Sequence, residues 1–343
     1  MKISVEKLRK ITREYFIKLG CPDDEASIMT EELIGGNLRG VDSHGVLRIV
    51  EYTSAAEKGW LIPGAPISVV KETPCSAVVD FALNFGQVGA TKAVEIVANK
   101  AFQFGMATVV SQRSNHVGRL GSYTEQLAKK GLVSFALASQ SYVIVAPFGS
   151  SEGRMGTNPI SFGAPSEGEA VVMDFATTTY SKGKIYIARD ERESLPEGII
   201  IDKSGSPSID PNDLFDGGAL LQLGGMAGGH KGFGLSVMCE AFCTFLSGQS
   251  RIGQEKDKWN NTLTLIAIDP EKFFGLDDYK EKMSEFIRYM KSSKSKDPSR
   301  EVLMPGELES RTHEERSKKE LYLPDKTWED LKILFEKRGV GCE

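Results

Sequence analysis

Strand-like segments that follow one another too closely for an intervening helix constrain this fold most. GTNPISFGAP (156–165) and AVVMDFAT (170–177) are short, apolar and broken by Gly and Pro, and only residues 166–169 separate them. Parallel neighbours need a crossover connection of about a dozen residues or more, so we expect antiparallel pairing here. Elsewhere strand patterns alternate with helical ones, which indicates the α/β class. We therefore predict an α/β fold with a mixed, largely antiparallel sheet.

Helical periodicity dominates both ends of the chain. Apolar positions recur at helical spacing before residue 39, and the charged tail is mostly helical, with an extended break predicted at MPGELES (304–310). At 343 residues the chain exceeds the size of most single cores. We predict two lobes: a mainly helical substrate-side lobe of residues 1–66 joined by 276–343, and a cofactor-binding α/β lobe of residues 67–275.

The charge balance and the cysteines exclude several classes of protein. The 42 basic and 47 acidic side chains give a net charge of −5 without a basic stripe, so we expect neither nucleic acid nor a membrane as a partner. The apolar runs are shorter than the roughly 18 residues of a membrane helix. Five cysteines without a CxxC pair predict a reducing, cytoplasmic setting. The sequence lacks a Cys/His cluster, so we expect no metal site.

RGVDSHGVLR (39–48) places a hydroxyl, an imidazole and a guanidinium close together. Ser43 can hydrogen-bond a ring nitrogen of His44, and Arg48 follows His44 by four residues, so both can share one helix face. A guanidinium grips a carboxylate through two parallel hydrogen bonds, while an imidazole exchanges a proton with a hydroxyl or keto oxygen. The alternative is structural: Ser43 caps a helix, and His44 and Arg48 lie on the surface.

Two further histidines lie in glycine-containing segments. SNHVGRLG (114–121) indicates a strand, a turn with His116 and a helix whose N-terminal N–H groups are free for a phosphate; a core histidine is the alternative. GGHKGFG (228–234) opens a predicted helix over 230–248, and its glycine loop with Lys231 suits a pyrophosphate or a carboxylate; a flexible loop is the alternative. GxGxxG and P-loop signatures are absent.

Nine motifs in the same order resemble those of the type-2 malate/L-lactate dehydrogenase family, which includes ureidoglycolate, sulfolactate and diketogulonate dehydrogenases and some cyclic-imine reductases. The resemblance spans nearly the whole chain and is specific for the family, not for a substrate. After FLSGQ the family usually carries a longer segment, often with a Gly-His pair or an Arg close to the ligand; here the segment is short and lacks His. The motifs are RGVDSHGVLR, FGQVGA, SNHVGRLGSYTEQLA, VAPFGSSEGRMGTNPISF, VMDFAT, LPEGIIIDKSGSPSIDP, HKGFGLSVMCEAFCTFLSG, IAIDPEKF and MPGELE.

The resemblance implies a homodimeric oxidoreductase that uses NAD or NADP in a non-Rossmann cofactor domain. The family's acid/base histidine matches either His44 or His116, with Ser43 orienting His44, and the resemblance leaves both open. It assigns Arg48, Thr157 and Asn158 to the substrate. The positions that match cofactor contacts are His116, Val117, Gly118, Arg119, Leu120, Asp174, Phe175, Ala176, Lys231, Gly232 and Glu307.

The reaction we expect is reversible hydride transfer between NAD(P) and carbon 2 of a small 2-hydroxy acid. A histidine with an ordinary pKa of about 6.5 serves both directions at neutral pH. We favour His44 as the proton donor, because it has a hydroxyl neighbour and shares a face with Arg48. His116 also suits cofactor contact, and a helix N-terminus lowers the pKa of a nearby histidine. Two alternatives remain: reduction of a cyclic imine carboxylate, and a non-catalytic ligand sensor.

Overall fold

The computed structural model describes residues 1–249, 261–297 and 299–342. Residues 250–260, which make up most of the segment shorter than in the family, lie outside the described residues. None of the helices in the described part of the chain is long and apolar enough to cross a membrane. The helices are α1 (Val5–Leu19), α2 (Asp23–Leu38), α3 (Arg48–Glu57), α4 (Gly86–Phe104), α5 (Leu120–Lys129), α6 (Lys182–Glu191), α7 (Gly225–Cys239), α8 (Leu276–Lys291), α9 (Glu307–Ser317) and α10 (Asp325–Lys337).

The strands form three sheets. The largest runs in the order β2-β3-β4-β11-β5-β6-β7, with smaller sheets β1-β12 and β10-β8-β9. The strands are β1 (Lys2–Ile3), β2 (Ser68–Thr73), β3 (Ser76–Asp80), β4 (Met106–Gln112), β5 (Val133–Ser139), β6 (Ile160–Ala164), β7 (Val171–Phe175), β8 (Ile200–Ile201), β9 (Pro207–Ser208), β10 (Ala219–Leu220), β11 (Thr262–Ile268) and β12 (Leu321–Tyr322).

The closely spaced strands β6 and β7 pair antiparallel, with Ile160 opposite Phe175 and Ala164 opposite Val171. Strand β11 lies between β4 and β5 and is antiparallel to both. The pair β3–β4, joined through α4, is parallel, and the other neighbours within this sheet are antiparallel. The predicted α/β fold with a mixed sheet is confirmed. The six residues between β6 and β7 (165–170) are too few for the crossover that parallel neighbours need.

Local chemistry sets the ends of the first helix. The Ser4 hydroxyl accepts a hydrogen bond of 3.2 Å from the Lys7 N–H, which satisfies one of the helix's unpaired donors. Gly20 ends α1 in the left-handed region with φ of 104°, where glycine carries no Cβ penalty. Both signals are present in the sequence, which explains why α1 forms where the apolar positions recur at helical spacing.

Buried apolar side chains form two large clusters and smaller ones. One cluster joins α1, α2 and α3 to α10 and includes Phe16, Phe85 and Phe335. The second lies between the large sheet and helices α4 and α5. A smaller cluster surrounds β8, β10 and α6. The N- and C-terminal helices thus share one core, whereas α8 contacts the turn between β6 and β7, where the Ser284 hydroxyl accepts from the Glu167 N–H at 3.0 Å.

Two predicted boundaries are wrong. Helix α7 begins at Gly225 instead of residue 230 and continues into a π-helical turn, Glu240–Phe245. Its glycines therefore lie inside the helix and form no anion-binding loop. Gly232 permits close packing, since a Cβ there would lie 2.5 Å from the Leu223 nitrogen. The extended break predicted at 304–310 ends earlier, because α9 begins at Glu307.

Candidate active site

A cleft of about 2700 Å³ collects most of the predicted site residues. Its walls come from α3 and the turn before it, from the start of α5, from β7 and α6, and from the start of α9. Ligand pockets are typically about 300–1000 Å³, so this cleft has room for a substrate and a larger cofactor together. The predicted residues on its walls are Ser43, His44, Arg48, His116, Val117, Gly118, Arg119, Leu120, Thr157, Asp174, Phe175 and Ala176.

His44 lies in a turn before α3, not on the helix. It ends the short 3₁₀ helix Asp42–His44, and α3 begins only at Arg48, so the predicted shared helix face is wrong. The Ser43 hydroxyl lies 3.0 Å from His44 Nδ1, as expected from their adjacency. Ser43 does not cap α3, whose N-cap is Leu47 without a side-chain hydrogen bond. The capping alternative for Ser43 is therefore excluded.

Arg48 is held at the first residue of α3 by two contacts. Its Nε donates a 2.7 Å hydrogen bond to the Ser43 carbonyl oxygen, and its Nη1 forms an ion pair with Glu51 one helical turn later. The turn before the helix, not a helix face, brings Arg48 close to His44. The guanidinium therefore lies on the cleft wall in a defined orientation.

His116 lies against the His44 ring and contacts Tyr52, which in turn contacts Gln87; the sequence analysis missed both residues. The imidazole centroids of His44 and His116 are 5.5 Å apart, with the ring planes 22° from parallel. The Tyr52 hydroxyl lies 2.8 Å from His116 Nδ1 and accepts a 2.7 Å hydrogen bond from Gln87 Nε2. Tyr52 follows Arg48 by four residues in a predicted helix, so helical spacing could have identified it.

The protonated, positively charged form of both histidines is disfavoured. Burial is the main cause, and the positive charge of Arg48 is the second; together they lower the pKa of His44 to about 3 and hold the pKa of His116 well below its usual range. The expectation of an ordinary pKa near 6.5 is wrong for His44, because the cleft removes water and places a guanidinium nearby. For His116 the lowered pKa is as expected, but burial and neighbouring charges cause it. Both imidazoles are thus neutral at pH 7.

The start of α5 does not leave all its N–H groups for a ligand. The Gly121 N–H donates a 2.7 Å hydrogen bond to Asp174 Oδ2, so a carboxylate from β7 already lies at this helix N-terminus. The surrounding protein raises the pKa of Asp174 to about 6, chiefly by desolvation, although the side chain borders the open cleft. Arg119 Nη2 pairs with Glu125 at 3.0 Å. The prediction of free donors is wrong for Gly121.

The two predicted residues of the GTNP motif separate in the structure. Thr157 lines the cleft and donates a 2.9 Å hydrogen bond to Gln140 Oε1. Asn158 is fully buried behind the wall, where its amide donates to the Ser236 hydroxyl at 3.1 Å and to Glu240 Oε1 at 3.0 Å. The Asn158 side chain thus joins the strand region to α7.

Three predicted cofactor-binding residues do not line the cleft. Lys231 is exposed on α7, and Gly232 is buried against Leu223. Glu307 forms ion pairs with Lys291, at 2.6 Å, and with Arg311. The structure therefore does not bring these three together with His44 and His116. Gly306, beside Glu307, does reach the cleft.

The cleft also contains a lysine and two tyrosines that the sequence analysis did not identify. Lys182 Nζ lies 3.6 Å from the ring centroid of Tyr142 and 5.1 Å from that of Tyr186. No local pattern marks the contact of Lys182 with Tyr142, because the two residues are forty positions apart, whereas Tyr186 follows Lys182 by four residues in the helix. Among the described residues, no group of three or more His, Cys, Asp or Glu side chains could hold a metal ion.

The chain is similar to known proteins over nearly its whole length. A family model described as malate/L-lactate dehydrogenase matches residues 3–332. The chain is 32% identical to malate dehydrogenase of Pyrococcus horikoshii, covering 99% of this chain and 96% of the relative. It is 30% identical to L-sulfolactate dehydrogenase of Methanocaldococcus jannaschii, over 100% and 99%. The Delta(1)-pyrroline-2-carboxylate/Delta(1)-piperideine-2-carboxylate reductase of Pseudomonas syringae is 33% identical over 84% of each chain. The crystal structure of malate dehydrogenase from Entamoeba histolytica superposes with a TM-score of 0.95 at 27% identity, covering 99% of both chains.

Proposed function

The chain belongs to the malate/L-lactate dehydrogenase family, and from this premise we propose that it transfers a hydride between NAD or NADP and carbon 2 of a small 2-hydroxy acid. It is an oxidoreductase acting on the CH–OH group of hydroxy acids. The observation that carries the proposal is the grouping of His44, His116 and Arg48 on one cleft wall. The guanidinium of Arg48 can bind a carboxylate, and an imidazole beside it can transfer a proton.

In this mechanism Arg48 binds the substrate carboxylate. The contacts of its guanidinium with the Ser43 carbonyl and with Glu51 orient it before substrate arrives. A carboxylate beside Arg48 offsets the positive charge that disfavours a protonated histidine. The bound substrate thus makes the neighbouring imidazoles better able to accept the hydroxyl proton. Fixing the carboxylate also fixes the direction of the C2–H bond, which is the positioning contribution to catalysis.

The proton passes through one of the two stacked histidines, and the contacts around His116 favour His116 over His44. Tyr52 accepts from Gln87 and can donate its own proton to His116 Nδ1, and the Gly118 N–H points at the same nitrogen from 3.4 Å. A neutral ring that accepts at Nδ1 carries its proton at Nε2, and it gives that proton to the keto oxygen once Nδ1 is protonated as well, which the substrate carboxylate beside Arg48 favours. The ring then returns to its neutral form with the remaining proton on Nδ1, hydrogen-bonded to the Tyr52 oxygen. We therefore propose His116 as the donor during keto-acid reduction and His44, with Ser43, as the residue that holds the substrate oxygen.

The cleft wall fits a nicotinamide dinucleotide, which supplies or accepts the hydride when bound. Gly118, with φ of 71°, exposes its backbone on the wall, and a Cβ there would lie 3.2 Å from the Gln87 side chain. Residues 117–120, with Asp174, Phe175 and Ala176, border this space. Whether Lys231, Gly232 and Glu307 contribute stays a prediction, as does the substrate role of Thr157 and Asn158.

We propose that the cofactor lobe is non-Rossmann. The support is the strand order, in which β11 lies between β4 and β5 and parallel pairing is confined to β3–β4 among the described strands of the large sheet. A doubly wound domain needs successive parallel strands. The division into residues 1–66 with 276–343 and residues 67–275 stays a proposal; the shared core of α1–α3 with α10 supports it.

We also propose that the protein is a homodimer. Leu235, Met238, Phe245 and Leu246 are spaced to share one face of α7 and its π-helical extension, and their side chains are 38–59% exposed. A contiguous apolar face of this kind marks an interaction surface. The cytoplasmic setting stays a prediction from cysteine usage.

The proposed function is tested by following the absorbance of NADH and of NADPH during incubation with pyruvate, oxaloacetate and other 2-keto acids. Consumption with one of them supports the proposal. A cyclic imine carboxylate belongs in the panel, because the Pseudomonas syringae relative is a reductase of such imines. Turnover of the imine alone favours that alternative. Tight cofactor binding without turnover of any compound indicates a ligand sensor.

A further inference from the structure

A half-buried lysine faces the cleft without a carboxylate partner. Lys182 is the first residue of α6, and its ammonium lies over the rings of Tyr142 and Tyr186. Within residues 1–249, 261–297 and 299–342, no acidic oxygen lies within ion-pair distance of its Nζ, whereas many other lysines here have such a partner. Aromatic faces attract a cation and offset part of its lost hydration, but they leave the charge unneutralised.

Backbone packing places the start of α6 beside the His44 turn. A Cβ built on Gly183 would lie 3.1 Å from the Ser43 Cβ, so glycine is what permits this approach. Arg48 and Glu51 of α3 are also close enough to act on the Lys182 charge. Burial lowers the Lys182 pKa to about 8, Glu51 opposes this effect and Arg48 adds to it. Lys182 and Arg48 are therefore two cations on the wall of one cleft.

We propose that Lys182 binds a second acidic group at the far end of the substrate. This inference rests on the proposed function, in which Arg48 holds the carboxylate beside the reacting carbon. It assigns the enzyme to 2-hydroxy and 2-keto acids that carry two anionic groups and makes one-carboxylate acids of the lactate type poorer substrates.

The chemistry of the ammonium favours this role. An anion in the cleft beside Lys182 supplies the missing counter-charge, and a charge-assisted hydrogen bond in a half-buried site is stronger than a neutral one. The compact ammonium can bind either a carboxylate or a sulfonate, because it lacks the planar fork of arginine that selects one geometry. The second group is therefore an anion of either kind, and the substrates tested must separate the two.

The experiment compares kcat/KM for oxaloacetate, 3-sulfopyruvate and pyruvate in the wild type and in Lys182→Met. We expect Lys182→Met to lower kcat/KM for one or both dianionic acids about 10- to 100-fold, the range of a charge-assisted hydrogen bond. The value for pyruvate should change less than about threefold. The acid with the larger loss identifies carboxylate or sulfonate. Lys182→Arg, which keeps the charge, should recover part of the loss.

Lys203→Met is the control, because Lys203 lies on the surface in an ion pair with Asp216 and does not line the cleft. It should leave the ratio of dianionic to monoanionic rates unchanged. An equal change for all three acids in Lys182→Met overturns the inference, as does an equal effect of both lysine variants. If Lys182→Met fails to fold, Lys182→Gln takes its place.

Failure of the proposed function gives a different result. A wild type that reduces none of the three acids contradicts the proposed function, and calorimetric binding of L-malate then decides the anion site. Binding that weakens at least tenfold in Lys182→Met supports a site at Lys182. No binding, or equal binding by both proteins, overturns it.

Discussion

At the scale of single residues, the site depends on contacts that orient a few polar side chains. Ser43 supplies both a hydroxyl beside His44 and a carbonyl oxygen to Arg48. Tyr52 connects His116 to Gln87, which is fully buried. These partners hold the proposed acid, base and carboxylate-binding groups in place before substrate binds, which reduces the reorganisation that catalysis requires.

Replacing Arg48 with Lys tests carboxylate binding. Lysine retains the charge but loses the two-pronged geometry, so we expect kcat/KM for the best 2-keto acid to fall about 100-fold or more. Arg154→Lys is the control, because Arg154 lies on the surface in an ion pair with Glu152 and should leave the rate unchanged. A folded Arg48→Lys protein with wild-type kcat/KM would exclude the role.

The variants His44→Ala and His116→Ala, measured together, identify the proton donor. We expect His116→Ala to lose kcat by about 100- to 10,000-fold with the Kd of the cofactor retained, as for loss of a general acid. His44→Ala should mainly raise KM for the keto acid. The assignment reverses if His116→Ala keeps its kcat while His44→Ala loses it at unchanged cofactor Kd.

At the scale of helices and strands, glycines decide how closely elements pack. Gly89 lies inside α4, where a Cβ would come 2.2 Å from the ring of the fully buried Phe81. Gly234 lies inside α7, where a Cβ would meet no atom within 4 Å. The two glycines share a helical backbone but differ in surroundings, so one has a packing role and the other only lowers helix propensity.

The same substitution should therefore have opposite effects at these two positions. Gly89→Ala should reduce the free energy of unfolding by about 1–3 kcal/mol, because the methyl group overpacks the Phe81 contact. Gly234→Ala should raise it by about 0.5–1 kcal/mol through better helix propensity. Urea unfolding of both variants beside the wild type measures this; equal effects would contradict the packing role of Gly89.

At the scale of the whole molecule, the cleft lowers stability in acid. Both histidines are neutral when folded, but an unfolded histidine takes up a proton below a pKa of about 6.5. The unfolded state then binds more protons, so stability falls as the pH drops from 6.5 towards the folded pKa of about 3 for His44. Asp174 acts in the opposite direction between about pH 4 and 6, because its folded pKa is raised.

Comparison with His44→Gln isolates the histidine contribution from that of Asp174. From pH 6.5 to pH 5 the wild type should lose up to about 2 kcal/mol more free energy of unfolding than the variant, which is the linkage limit for one histidine. Partial solvent access to the ring reduces this value. Urea titrations at both pH values measure the difference; equal losses in the two proteins would show that His44 is not held neutral.

Assembly is also a property of the whole molecule. We expect light scattering after size-exclusion chromatography to give twice the mass of the chain for the wild type. Met238→Glu places a charge in the exposed apolar face of α7 and should give the monomer mass. Ile333→Glu, at an exposed position on α10, should remain a dimer. A monomeric wild type, or a dimeric Met238→Glu, would contradict this interface.

The sequence by itself determined the features that depend on neighbouring residues. Helix α1 was predictable from its apolar period and from Ser4 and Gly20 at its ends. The antiparallel pairing of β6 and β7 followed from the short connection between them. The contact of Ser43 with His44 was also predictable, because adjacent side chains meet whatever the rest of the fold does.

The tertiary structure alone decided what depends on segments far apart in the chain. Strand β11 lies between β4 and β5 although more than a hundred residues separate it from β5 along the chain. The contact of Tyr52 with His116, the capping of α5 by Asp174 and the placement of Lys182 over Tyr142 arise in the same way. Gly232 of α7 packs against Leu223, and this close packing offsets its low helix propensity. Local patterns cannot encode these outcomes, since burial of distant surfaces against one another sets their free energy.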